Sequence, residues 1–235
     1  MAAKNPALTL SIIIPTLNEE AGIGQLLTYL RQLTSPTTEI ILADGGSTDA
    51  TTSIAKQAGV RVLVCAKKGR GPQMNEGAAA ATGAILYFLH ADTFPPAGFE
   101  QQLVSAAQTG VGSACYRLRF DDAHWFLRLN AWFTRFDVDA VRFGDQSLMV
   151  CHEVFAQAGG FNENLQLLED QEVIGRLRKY GRFAVLPGFV TTSARKYKKL
   201  GVYRLQGGYF LIYTLYRLGV SQKRLAQVYK KLLKL

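Results

Sequence analysis

Several polar groups stand where apolar runs of this 235-residue chain stop. Leu8 to Ile14 is followed by Asn18-Glu19, and Ile40 to Ala43 ends in Asp44-Gly45-Gly46-Ser47-Thr48-Asp49. Val60 to Cys65 runs into the basic loop Lys67-Lys68-Gly69-Arg70-Gly71, and Ala84 to Leu89 ends abruptly in His90-Ala91-Asp92. Asp44 can accept a hydrogen bond from a base ring N–H. The Lys67–Arg70 loop can bind phosphate or ribose, helped by backbone N–H groups that its glycines leave accessible. A single carboxylate such as Asp92 suits Mg2+ or Mn2+ bridging to substrate phosphates, because these ions take one or two protein carboxylates and complete the shell with phosphate and water. Glu169-Asp170 heads a further apolar-periodic segment. Each group also has a plainer use: a strand-end aspartate caps the next helix, and an acidic pair is favoured in a helix's first turn.

The elements that would position these groups alternate. Leu8 to Ile14 reads as a buried strand, then Asn18 offers an N-cap, with Ile23, Leu26, Leu27, Leu30 and Leu33 at helical spacing. Ile40 to Ala43 is a second strand, and Ser47 or Thr48 can cap the helix carrying Ile54, Ala55 and Ala58. Val60 to Cys65 is a third strand, Pro72 opens a helix, and a fourth strand leads to Asp92. Strands alternating with helices predict a parallel sheet with right-handed crossovers, whose strand ends converge on one edge where ligands bind. After about residue 110 the pattern changes. Ala114 to Phe120 alternates as a strand with one exposed face does, His124 to Phe136 is aromatic and amphipathic, and Gln146 to Cys151 is a strand preceded by Gly144-Asp145. Arg182–Leu186 and Phe189–Thr192 read as two short strands, and Tyr203–Leu218 and Ser221–Leu233 as basic amphipathic helices. The expected organisation is one domain over residues 1–235. It divides near residue 110 into halves of about 1–110 and 111–193, and about 194–235 form a basic helical appendage.

The net charge of +9 is unevenly spread. All 18 acidic residues and 12 of the 27 Lys and Arg lie in positions 1–172; residues 173–235 hold the other 15 basic residues and no acid. A one-sided basic tail suits a polyanionic partner, or is simply a solvated face. The acidic first segment argues against a primary nucleic-acid role, since it repels phosphates. Cys65, Cys115 and Cys151 are odd in number and widely spaced, as buried thiols in a reducing compartment are. The run from Ala7 to Leu17 is broken by Pro15 and reads as a strand, not a signal peptide, which points to the cytoplasm. No Walker loop, early G-x-G-x-x-G, G-x-S-x-G or zinc-spaced His/Cys set occurs.

Taken together, Ser11 to Glu20, Asp44 to Asp49, Gly69-Arg70-Gly71, His90-Ala91-Asp92, Gly159-Gly160-Phe161 and Glu169-Asp170 resemble family 2 glycosyltransferases of GT-A fold. The resemblance covers about Leu8 to Tyr180. Gly144-Asp145-Gln146 and Thr192-Ser193-Ala194-Arg195 are similar to a bacterial subgroup often named for arsenosugar biosynthesis. The resemblance implies an inverting transfer from a UDP- or GDP-linked sugar to a hydroxyl acceptor, small or lipid-linked, by a mostly parallel sheet flanked by helices. It places Pro15, Thr16 and Glu19 in the first nucleotide loop, Asp44 on the base, Arg70 on the nucleotide and Asp92 on a divalent cation as the last acid of the D-x-D motif. Asp170 becomes the catalytic base, with Glu169 beside it. His90 stands where the motif's first acid usually is, with Ala91 between, and no late histidine is available to the metal; Arg195 and Lys196 offer charge for a diphosphate instead.

The closest alternative enzyme, a sugar-1-phosphate nucleotidyltransferase, needs a Lys/Gly-rich phosphate loop after the first strand, which Pro15-Thr16-Leu17-Asn18 lacks. From another class, a non-catalytic membrane-surface protein would use the aromatic and basic residues of the last two helices to lie in a bilayer interface. For the enzyme, that same contact and a homodimer are accessory expectations.

Overall fold

A computed structural model describes residues 8–142 and 144–233; residues 1–7 and 234–235, the outermost ends of the expected domain, lie outside the described residues. The chain begins with β1 (Leu10–Thr16), α1 (Glu20–Leu33), β2 (Glu39–Asp44), α2 (Thr51–Gln57), β3 (Arg61–Val64), α3 (Arg70–Ala80) and β4 (Ile85–Phe88). β1 pairs in parallel with both β2 and β4, and β2 with β3. All seven residues of β1 are buried, as expected for a strand covered on both faces. Successive side chains point to opposite faces. Ile12, Ile14, Ile40, Leu42, Ile85 and Tyr87 therefore enter one apolar core, while Ile13, Ile41, Leu86 and Phe88 enter the other. Gly77 lets α3 lie close on this sheet: a Cβ there would stand 2.5 Å from Ile13 Cγ2.

The rest of the chain extends the same sheet. Its elements are β5 (Thr93–Phe94), α4 (Phe99–Gln108), β6 (Val111–Phe120), α5 (Trp125–Phe133), β7 (Leu148–Cys151), α6 (His152–Gln157), α7 (Glu169–Leu177), β8 (Arg182–Thr192), α8 (Arg195–Leu200), α9 (Val202–Arg217) and α10 (Gln222–Leu233). The eight-stranded order is β3-β2-β1-β4-β7-β6-β8-β5. β7 runs antiparallel to β4 and β6, and β5 antiparallel to β8, so the parallel character belongs to the first half and to the β6–β8 pair.

Three sequence expectations need correction. Val111–Tyr116 of β6 is wholly buried, because the strand lies inside the sheet; only Arg117 and Arg119 remain open, with their guanidiniums 5.9 and 4.7 Å from the Phe189 ring centroid. The two short strands expected at 182–186 and 189–192 are one strand. Pro187-Gly188 is accommodated as a register shift against Tyr116-Arg117. Neither Asn18 nor Ser47 nor Thr48 caps a helix. Asn18 adopts a left-handed φ of 54° and its Oδ1 accepts from Thr48 N at 2.9 Å, while Asp49 accepts from Glu20 N at 3.1 Å and Thr51 N at 3.0 Å. One carboxylate thus satisfies first-turn donors of both α1 and α2.

Candidate active site

The parallel register sets Thr16 opposite Asp44 and Ile13 opposite Phe88, so β1, β2 and β4 end on one edge. Beyond β4 the chain turns, with Thr93 N donating to His90 O at 3.1 Å. β5 then pairs with β8, and Ser193 N donates to Asp92 O at 3.1 Å. That pairing brings Asp92 to the start of α8, where Arg195 Nη2 lies 3.4 Å from Asp92 Oδ2. The same nitrogen donates to Glu19 Oε1 and Oε2 at 2.7 and 2.6 Å. One guanidinium therefore joins the loop after β1 to the end of β4.

On the opposite wall α7 begins after Leu168, a bulky residue held at φ 66°. Such a conformation costs about 1–3 kcal/mol and persists where the surroundings enforce it. Glu169 is 1% exposed, and Arg70 Nη2 lies 2.7 Å from its Oε1 and 3.9 Å from Asp170 Oδ2. Burial, then the charge of Asp170, push the Glu169 carboxyl above its ordinary range despite Arg70. Between the two walls sits Gly144. A Cβ on it would overlap Asp170 Oδ2 and stand 2.9 Å from His90 Cε1, so only a bare Cα lets these side chains approach each other.

His90 Nδ1 is 3.2 Å from Asp145 Oδ1. Burial disfavours the Asp145 carboxylate, but the His90 hydrogen bond with the His90, Lys196 and Arg70 charges outweighs it and holds the group down at about 2. An ionised carboxylate only accepts, so Nδ1 carries the proton of this bond. For His90 burial works against the charged ring, and the Asp145 hydrogen bond prevails and raises its pKa. Asp92 is raised by burial and then by the Asp145 charge.

These groups border a cavity of about 340 Å3 lined by Arg70, Asp92, Gly144, Asp145, Asp170 and Lys196, within the range of small-molecule sites. Leu118 and Phe120 of β6 and Asn130 and Thr134 on and after α5 form one side; Tyr197, Gln206, Tyr209, Ile212 and Tyr229 of the last three helices close it. The expected appendage is thus part of the site wall.

Of the residues singled out in the sequence, Arg70, Asp92 and Asp170 line one cavity, with Glu169 behind and His90 and Arg195 alongside. Pro15 and Thr16 are buried at the end of β1, and Ala91 is buried in the core. Asp44, 1% exposed, accepts from Gly46 N, Ser47 N and Ser47 Oγ, so both its oxygens shape its own turn. Lys67 of the same loop pairs instead with Glu163, at 2.6 Å. Asp145 and Gly144 carried no role in the sequence reading. Their only signal was a Gly-Asp-Gln step before β7, and partners far along the chain reveal its use.

The cation expected at Asp92 meets a sparse donor set. Among the described residues no group of three or more His, Cys, Asp or Glu side chains is arranged around a point. Burial first, and then the Asp145 charge, raise the Asp92 pKa, and a cation beside the two carboxylates would offset the second of these. The residues fit an ion shared with substrate phosphates, not a cage made by protein alone.

The fold is that of GT-A glycosyltransferases, and the profile of glycosyl transferase family 2 matches residues 11–158. The chain belongs to that family and is a transferase that takes a sugar from a nucleotide-sugar donor. A PGL/p-HBAD biosynthesis glycosyltransferase of Mycobacterium tuberculosis is 27% identical over 205 residues, 81% of this chain and 77% of its own. A mannosyltransferase of Pyrobaculum calidifontis, solved with GDP-Man and Mn2+, superposes with a TM-score of 0.68 at 19% identity, over 86% of this chain and 61% of its own. The glucosyl-3-phosphoglycerate synthase of Mycobacterium tuberculosis, solved with Mn2+, UDP and glucosyl-3-phosphoglycerate, gives 0.61 at 22% identity, over 91% and 81%. None of the three lends support to the arsenosugar subgroup. No described helix is long and apolar enough to cross a membrane.

Proposed function

We propose that Asp170 is the general base of an inverting transfer from a UDP- or GDP-linked sugar to a hydroxyl of an acceptor held under α8–α10. The observation that carries this reading is the shared cavity, with Asp170 on one wall, Asp92 on the other and the bare Gly144 between. Asp170 takes the acceptor proton as its oxygen attacks the anomeric carbon, a contribution typically of 10²–10⁴ in rate. Arg70, held by Glu169, keeps the Asp170 carboxylate oriented. Asp92, with Asp145 close by, would hold the divalent cation, which when bound would neutralise charge on the departing diphosphate. Arg195 and Lys196 add positive charge on the same side. The protonated Nδ1 of His90 is committed to Asp145, which leaves Nε2 for a donor hydroxyl or phosphate oxygen. Pro15, Thr16, Glu19 and Asp44 shape the base and ribose end of the site, chiefly through backbone: Thr16 O accepts from Gln73 Nε2 at 2.8 Å and from Gly45 N at 2.9 Å. GDP-Man and UDP, each with Mn2+, in the two structural neighbours support the donor class and the ion.

The test pairs turnover with ligand-linked stabilisation. UDP or GDP should raise the melting temperature, more so with Mn2+, in the wild type and in Asp170→Asn alike, whereas transfer should vanish in the variant. Undiminished turnover in Asp170→Asn removes the base assignment, and indifference to every nucleoside diphosphate removes the donor.

A further inference from the structure

Helix α5 is built the opposite way round from a helix on a soluble surface. Leu127 and Ala131 face inward and are buried, yet Trp125, Leu129 and Trp132, and Phe136 in the turn after the helix, at steps of four, three and four, are 61%, 44%, 45% and 44% exposed. Phe133 adds 42%. Tyr203, at the start of α9, packs its ring against Phe126 with centroids 5.1 Å apart and planes tilted by 48°, and is 58% exposed, so the apolar strip continues from one helix to the next. Contiguous apolar surface of this kind marks an interaction site.

Charge says what covers it. Arg128 on α5 and Arg135 just after it are exposed, Arg135 with its guanidinium 4.5 Å from the Trp132 ring centroid, and Lys199 and Arg204 are exposed beside Tyr203. Neither α5, α8 nor α9 contains an acidic residue. The nearest acids are engaged elsewhere: Asp121 accepts from Ala194 N at 2.7 Å, Asp122 pairs with Lys198 at 3.2 Å, and Asp137 and Asp139 pair with Arg178. A two-fold contact with a second copy sets one patch against itself and brings these cations together, which disfavours self-association. Indole and phenyl rings flanked by arginine and lysine suit the headgroup region of an anionic bilayer.

We infer that the outer face of α5, with Tyr203, docks on the surface of an anionic lipid membrane. The sequence had assigned membrane contact to the basic C-terminal helices; the structure moves its centre to α5. Asn130 and Thr134, from the other side of the same segment, line the cavity that holds Asp170. Docking therefore holds the cavity about one helix diameter, ~10 Å, from the headgroups, where a lipid-linked hydroxyl acceptor is within reach. That last clause rests on the sugar-transfer reading; the docking itself does not.

The chain has two tryptophans, both on this face, so its intrinsic indole emission reports on the docking directly. The full chain, without any donor, is mixed with phosphatidylcholine vesicles lacking or containing phosphatidylglycerol. Emission should shift to the blue and the protein should float with the anionic vesicles alone, with binding weakened by high salt. Leu129→Glu with Phe136→Glu should reduce binding by about tenfold or more, as the loss of two buried apolar side chains implies, and leave the thermal melt unchanged. Val64→Glu, at an exposed apolar position on β3, is the control and should bind as the wild type does. No blue shift with anionic vesicles, equal binding to neutral ones, or a lipid-free dimer in which the emission is already blue and is restored to red by the double variant would each overturn the inference, the last in favour of a second copy.

Discussion

Glu100, at the head of α4, and Glu169, at the head of α7, are both acidic residues in a first helical turn, 9% and 1% exposed. Their surroundings drive them apart. Burial alone raises the pKa of Glu100, but Thr38 Oγ1, Ser35 Oγ and Ser35 N, each donating at 2.7 Å, outweigh it and hold the carboxyl below its ordinary value. Glu169 has no such hydroxyls. Its partner is the Arg70 guanidinium, shared with Asp170, and its pKa stands above the ordinary value. A buried carboxylate met by several donors fastens the fold. One left with a single shared cation is poorly compensated, and such groups collect where chemistry is done.

The largest test of this contrast is Gly144→Ala, which places a methyl group where Asp170 Oδ2 now lies. A displacement of about 1 Å at the proposed base should lower turnover by about 10²-fold, while nucleotide-linked stabilisation should persist; full activity in this variant would break the link between Gly144 and the role proposed for Asp170. Next comes Glu100→Gln, which exchanges a charged acceptor for a neutral amide that cannot accept from all three donors. Chemical denaturation should show a loss of about 1–3 kcal/mol with catalysis unaffected per folded molecule. Glu169→Gln, by contrast, removes a charge that burial disfavours, so its melting temperature should equal or exceed that of the wild type, while turnover falls because Arg70 loses its anchor. A clear destabilisation would show that the pair fastens the fold after all.

The smallest effect is in the pH dependence, and its sign differs between the two residues. Glu100, depressed in the folded state, contributes stability that is present above its ordinary value of 4.5 and is lost as pH falls through the folded value. Glu169, raised in the folded state, contributes stability that is complete below 4.5 and is lost as pH rises through its folded value. Stability profiles of the two glutamine variants, each subtracted from the wild type, should therefore slope in opposite directions in the acid range.

The first half of the fold was legible because each signal there is local. Apolar runs end in Asp44, Cys65 and Asp92, and helical spacing separates them, so a parallel sheet and its functional edge follow from short-range pattern. The second half is assembled by distant partners. The alternation of Ala114–Phe120 suggested an exposed face, yet the strand is enclosed by neighbours that the pattern cannot reveal. The site divides in the same way. Asp92 and Asp170 were visible as strand-end and helix-head acids. The use of Asp145 depends on a histidine 55 positions away, and the tyrosines that close the cavity looked in sequence like a basic, aromatic helical surface.

The contact between Glu19 and Arg195 spans 176 positions of chain. A loop of that separation closes late, because its entropy must be overcome before the contact returns anything. During synthesis the first four strands can pair as soon as they emerge, but the clamp that fixes Glu19 against Asp92, and the helices that cover Asp170, arrive only with the last fifth of the polypeptide. Sheet formation and completion of the cavity wall are therefore separate events in time: a nascent or truncated chain can be well ordered in its first four strands while the cavity still lacks the helices that close it.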